Sequence, residues 1–186
     1  MYAGAIAGEN LGTIENCTTD ITIICTGTTT AGGMTGVSGT TGGDSSTIKN
    51  CTFSGMITCG SDGIGGGIVG NNFSTVSGCT SSGSIAGNTS EGSAWAVGGI
   101  IGKNAGSGNI KTCTSTSSCT VKGGVSTLVG GIAGKNEGTI ASDCINNAKV
   151  SGGINSSAGS GTNSCNAGFG ALALLAVLPL VYRKKR

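Results

Sequence analysis

A repeat constrains this chain more than any other feature. The segments AIAGEN, GMTGVS, GIVGNN, GIIGKN and GIAGKN recur along it, and their last glycines, Gly8, Gly36, Gly70, Gly102 and Gly134, are separated by 28, 34, 32 and 32 residues. An apolar residue stands two places before each of these glycines: Ile6, Met34, Ile68, Ile100 and Ile132. Each repeat then brings a second apolar residue and a cysteine, the pairs Ile14/Cys17, Ile48/Cys51, Val76/Cys79, Ile110/Cys113 and Ile140/Cys144. A third apolar position follows at Ile23, Ile57, Ile85, Val121 and Val150. Self-similarity at this period marks an array in which no unit buries its apolar face alone, and stacking of neighbours makes the core.

Composition decides between helix and strand. The chain has 38 Gly in 186 residues, and aromatics are only 3%. A glycine inside a helix costs about 1 kcal/mol relative to alanine, whereas the abundant Thr, Ile and Val suit a pleated surface. Glycine at irregular spacing and a single Pro exclude a collagen-like helix. One repeat therefore reads as three short strands separated by Gly, Ser and Asn turns. Each strand pairs with its copy in the next repeat at about 4.8 Å. The expected fold is all-β: a parallel β-solenoid of about five rungs, right-handed because parallel crossovers default to that hand, followed by a flexible linker and one C-terminal hydrophobic helix. The glycine column would supply the positive φ of the corners. The turn residues Asn10, Asn72, Asn104 and Asn136, replaced by Ser38 in the second repeat, would hydrogen-bond to their copies above and below.

The stretches GGIVGNN…VSGCTSSGSIAG and GGIAGKNEGTIASDCINNAKVSG resemble the GLUG repeat of large bacterial surface proteins, among them adhesins and some surface proteases. The resemblance covers about residues 2–152 and is poorest in the second repeat. It implies an extracellular solenoid with no catalytic activity of its own.

Composition shifts after Val150, giving repeats over 1–150, a Gly/Ser-rich linker over 151–164 and a distinct tail over 165–186. The apolar run 167–182, as helix, spans about 24 Å, slightly short of a ~30 Å hydrocarbon core. The closing Arg183, Lys184, Lys185 and Arg186 would hold the C-terminus in the cytoplasm and put the repeats outside. The stretch SCNAGFGALALLAVLPLVYRKKR resembles the Synergist-type C-terminal sorting signal (Synerg-CTERM). By that resemblance Cys165 is the marked residue, cleaved beside or modified with lipid by a processing enzyme in the membrane. A plain anchor is the simpler reading. Repeat sequence begins at once after Met1, with no charged leader, which reads as the C-terminal piece of a longer exported protein.

Eight of the nine cysteines, all but Cys165 of the tail, divide by column. Cys17, Cys51, Cys79, Cys113 and Cys144 share one, Cys25 and Cys59 share another, and Cys119 stands alone. Stacked cysteines lie at a spacing a disulfide tolerates, and an odd column of five cannot pair completely. The main column reads as small apolar ladder residues, reduced and buried, and Cys25–Cys59 is the one bridge expected. With no His and no CxxC pair, a zinc site is not expected.

The absence of His excludes His-dependent catalysis. The acids, Glu9, Glu15, Asp20, Asp44, Asp62, Glu91, Glu137 and Asp143, are spread through turns without the pairing of a glycosidase site. GIGGGIVG lacks the Lys-Ser/Thr ending of a phosphate loop. Trp95, the single Trp, reads as a cover for the core edge. Outside the basic tail, six Lys face eight acids, so nucleic acid is not an expected partner. The expected function is non-enzymatic: a cell-surface repeat protein, adhesin-like or part of a surface layer, that needs no cofactor. Its partners would be the membrane through 167–182, the sorting enzyme, and a surface ligand of protein or glycan nature. The alternative is the C-terminal stalk of a larger surface hydrolase whose catalytic domain lies upstream.

Overall fold

A computed structural model of the chain describes residues 1–42, 46–87 and 95–155. Its third rung shows the plan: strands Ile64–Gly66, Val69–Asn72, Thr75–Ser77, Thr80–Ser81 and Ser84–Gly87 follow one another around a coil. The same five-strand sequence occurs in five rungs, so four rung-to-rung steps build the stack. Like strands pair parallel into five sheets, four of five strands and one of six. The fold is thus an all-β parallel solenoid, and no described residue is helical.

The rung has five strands, where the three apolar positions had implied three. The added elements are a strand before each corner isoleucine, such as Ala96–Gly98, and two-residue strands after each cysteine, such as Thr114–Ser115. Both are too short or too rich in Gly and Thr to carry an apolar alternation, so periodicity cannot reveal them. The sixth strand of the first sheet, Ile154–Asn155, pairs with Leu128–Gly130 and carries the solenoid into the segment expected as linker. Its Gly/Ser composition had masked strand pairing supplied by the rung beneath.

The apolar columns close the core. Met34, Ile68, Ile100 and Ile132 are buried, and so are Ile48, Val76 and Ile110, and Ile57, Ile85 and Val121. Each contributes about 1.5–3 kcal/mol as a fully buried side chain. The first column lies at the corner between the first and second strands rather than in a strand. Its backbone still forms a ladder: Ile68 N–H donates to Ile100 O at 2.8 Å and Ile100 N–H to Ile132 O at 3.0 Å. In this first column Ile6, on the first rung, is the exception to burial, 50% exposed, and Ile23, Ile140 and Val150 of the other columns are only partly buried.

The glycine column has a different cause from the one expected. Gly8, Gly36, Gly70, Gly102 and Gly134 do not have positive φ. From Gly36 onward they are glycine because the second sheet packs directly on the backbone of the first, whereas at Gly8 a Cβ would meet nothing closer than Tyr2 O at 3.2 Å. A Cβ at Gly102 would stand 2.5 Å from Ile64 Cγ2 and 2.7 Å from Gly70 O. Side chains do not fit in this wall.

The left-handed residues form another column. Asn16, Asn50, Gly78 and Thr112 have φ of 56°, 54°, 63° and 54°, and each directly precedes a ladder cysteine. This residue turns the chain outward-to-inward between the third and fourth strands, so that the next side chain, the cysteine, enters the core. Asn and Gly tolerate that conformation.

Candidate functional surface

The interior side of the site is a ladder of polar and thiol groups. Asn72 Nδ2 donates to Asn104 Oδ1 at 2.8 Å, and Asn104 Nδ2 to Asn136 Oδ1 at 2.8 Å. Asn10 Nδ2 donates to Ser38 Oγ at 3.2 Å, and Ser38 Oγ lies 2.8 Å from Ser74 Oγ. Asn72 and Asn104 are fully buried, so these residues are a polar seam of the core rather than solvated turns.

Cys51, Cys79, Cys113 and Cys144 are buried, and Cys17 at the end of the column is half-buried. Four of the five thiols repeat one geometry, donating to the carbonyl two residues back: Cys17 to Glu15 O at 3.3 Å, Cys51 to Lys49 O at 3.3 Å, Cys79 to Ser77 O at 3.4 Å and Cys113 to Lys111 O at 3.3 Å. Burial pushes the Cys51 thiol up to about 11. The neighbouring Cys79 thiol, and then burial, raise Cys113. Cys25 and Cys59, the pair expected to bridge, occupy in-register positions at the end of the fifth strand, and both stand as free thiols, like the column cysteines. Among the described residues no group of three or more His, Cys, Asp or Glu is placed to hold a metal ion.

The outer side carries hydroxyl rows. Thr13, Thr47, Thr75, Asn109 and Thr139 form one register on the third sheet. Thr18, Thr52, Thr80 and Thr114 form another on the fourth. At the corner between the fourth and fifth sheets runs an open groove of about 370 Å³, lined by Asp20, Thr22, Ser54, Met56, Ser82, Ser84 and Ser118 with Gly55 and Gly83. It crosses four rungs, with a Ser-Gly corner in the second and third, Asp20 and Thr22 in the first and Ser118 in the fourth.

A second surface feature escaped the sequence. Trp95 lies beneath two ammonium groups, Lys135 Nζ at 4.7 Å and Lys103 Nζ at 5.3 Å from the ring centroid. Glu137 joins both lysines, at 2.7 Å to Lys135 and 3.2 Å to Lys103. Its carboxyl is held below the usual range, by Lys135 first and then Lys103. Lys103 and Lys135 are in-register partners on the second sheet, in line with Asn71. The recurring GKN of the last two repeats was the available signal: stacking places equal residues of adjacent repeats side by side.

Cys165 and the apolar run 167–182 lie outside the described residues. Among those described, no helix is long and apolar enough to cross a membrane. No curated protein and no solved structure matches the chain. Residues 93–126 match the family model of the GLUG motif, and from Trp95 on this stretch runs through the fourth rung to its fifth strand, so the solenoid carries a GLUG motif.

Proposed function

We propose that the chain is a non-enzymatic, cell-surface repeat protein that works as an adhesin-like or surface-layer binding rod, exported and then anchored or processed through its C-terminal tail. The observation that carries this reading is the outer face of the solenoid. Rows of Thr and Asn and a hydroxyl-lined groove repeat from rung to rung. Such a face offers many equivalent, individually weak polar contacts. It suits an extended protein or glycan ligand whose own groups repeat, since linked weak contacts sum to avidity. The GLUG motif in the fourth rung supports the same reading. The tail contributes the location: Cys165, the apolar run and the closing basic cluster are the sorting signal, with Cys165 as the processed residue.

Intact cells of the producing organism, labelled with antibodies against the solenoid, test the reading. Labelling without permeabilisation is the expected result, and labelling only after permeabilisation overturns it. Mass spectrometry of the mature C-terminus then separates the two tail readings. An intact Arg183–Arg186 end means a plain anchor, and a chain ending near Cys165 means processing.

A further inference from the structure

The five-cysteine column is a continuous line of neighbours. Thr52 N–H donates to Cys17 O, Thr80 N–H to Cys51 O and Thr114 N–H to Cys79 O, each at 2.9 Å, and Ile145 N–H donates to Cys113 O at 2.8 Å. Flanking residues are paired in register on both sides, Lys49 with Ser77 and Thr52 with Thr80 around Cys51 and Cys79. Consecutive cysteines therefore lie one strand spacing apart, about 4.8 Å, inside the roughly 4.4–6.8 Å between Cα atoms that a disulfide spans. The thiols of Cys17, Cys51, Cys79 and Cys113 also share one orientation, each donating to the carbonyl two residues back, and each interior thiol has a thiol as electrostatic neighbour on both sides. Cysteines two rungs apart are separated by about twice the strand spacing, beyond disulfide reach.

We propose that this column is a disulfide site governed by parity: under oxidation it takes up two bridges, only between consecutive rungs, and leaves one thiol, at Cys17, Cys79 or Cys144 and never at Cys51 or Cys113. The rule follows from the line itself. A bridge that left Cys51 alone would strand Cys17 with no neighbour, and one that left Cys113 alone would strand Cys144. The main product is Cys17–Cys51 with Cys79–Cys113. The reason is local: the fifth repeat has one residue more between Ile140 and Cys144 than the fourth has between Ile110 and Cys113, and a turn closed by Cys144 N–H to Ala141 O at 3.2 Å replaces the left-handed corner there.

The chemistry balances with a small disulfide such as oxidised glutathione as the oxidant. Each bridge consumes two protein thiols and one glutathione disulfide and releases two glutathione thiols. Cys17, the most exposed of the five, is the point of attack. Bridges then exchange along the line. The Cys144 thiolate attacks Cys113 Sγ of the Cys79–Cys113 bridge, the Cys113–Cys144 bond forms as the Cys79–Cys113 bond breaks, and Cys79 leaves as thiolate and takes up the proton that Cys144 lost. The unpaired thiol thus moves two rungs per exchange.

The test is the full chain folded to equilibrium in a glutathione redox buffer, alkylated and mapped by peptide mass spectrometry. Wild type is expected to hold two ladder bridges with one alkylated thiol, mainly Cys144. Cys79→Ser is expected to hold two, Cys17–Cys51 and Cys113–Cys144, with none free. Cys51→Ser is expected to hold one, with two ladder thiols free. Cys79→Ala and Cys51→Ala repeat the comparison if either serine variant fails to show strand-type circular dichroism. Alkylated Cys51 or Cys113 as the single free thiol of wild type, equal bridge counts in the two variants, or no ladder bridge at all would each overturn the proposal. The chain oxidised in denaturant is the control in which the parity rule is lost.

Discussion

Asp143 accepts two hydrogen bonds from Thr112 of the rung beneath, from the backbone N–H and from the hydroxyl, both at 2.9 Å. The carboxylate holds in place a residue that the corner strains. Thr112 has φ of 54°, where a β-branched side chain is costly, while Asn16, Asn50 and Gly78 stand at the same corner in the rungs before it.

Thr112→Asn is therefore expected to stabilise the chain. Asn adopts the left-handed conformation at lower cost, retains the backbone hydrogen bond to Asp143 and brings an amide donor in place of the hydroxyl. The gain should be about 1 kcal/mol, at the low end of what such strain stores. A higher urea midpoint at unchanged m-value is the expected reading. An unchanged or lower midpoint would show that the corner does not strain Thr112.

The glycine wall predicts a contrast between two alanine substitutions. At Gly102 a Cβ meets Ile64 Cγ2 at 2.5 Å and the carbonyls of Gly70 and Gly65 at 2.7 and 2.9 Å, and backbone atoms cannot turn aside. At Gly106 nothing lies within 4 Å. Gly102→Ala should cost about 3 kcal/mol, the upper range for overpacking a core, and Gly106→Ala less than about 0.5 kcal/mol, as for an open surface position. Equal midpoints in urea would sink the close-packing explanation of the column.

That contrast shows what the sequence could and could not convey. The column Gly8, Gly36, Gly70, Gly102 and Gly134 was visible as a pattern, but a pattern does not distinguish glycine chosen for φ from glycine chosen for lack of a side chain. Only the approach of two sheets decides it. The isoleucine and cysteine columns were legible because burial repeats the same demand in each rung. The residues before the cysteines, Asn16, Asn50, Gly78 and Thr112, were not, because three residue types meet one backbone requirement. The Trp95 cluster was hidden for a third reason: Trp95 occurs once, and its partners Lys103 and Lys135 reach it from the next sheet.

The asparagine seam should respond to position along the rod. Asn104 donates to Asn136 Oδ1 and accepts from Asn72, and its amide also reaches Gly108 O at 3.2 Å. Asn104→Ala leaves buried polar partners on both sides and is expected to cost about 2–3 kcal/mol. Asn136→Ala, at a half-buried site with one ladder neighbour, should cost less than half as much. Paired urea titrations read both values, and equal losses would mean that the seam does not act as a buried network.

Alkaline conditions should weaken the fold through its buried thiols. Burial, with a smaller contribution from Cys25, pushes Cys59 up to about 12 from an ordinary 9.0, and burial pushes Cys119 up to about 11. In the unfolded chain these thiols ionise near their ordinary value, while in the folded chain they keep their protons to higher pH. Above pH 9 the folded state therefore binds more protons than the unfolded state, and stability falls as pH rises. The stabilisation from neutral, buried thiols is complete below about pH 9 and is lost as pH climbs toward 12. The slope reaches at most about 1.4 kcal/mol per pH unit for each such thiol. Urea midpoints should be level from neutrality to about pH 8.5 and then decline. The decisive measurement is Cys59→Ala, whose decline should be shallower than that of wild type. Identical slopes would show that the buried Cys59 thiol does not drive the alkaline loss.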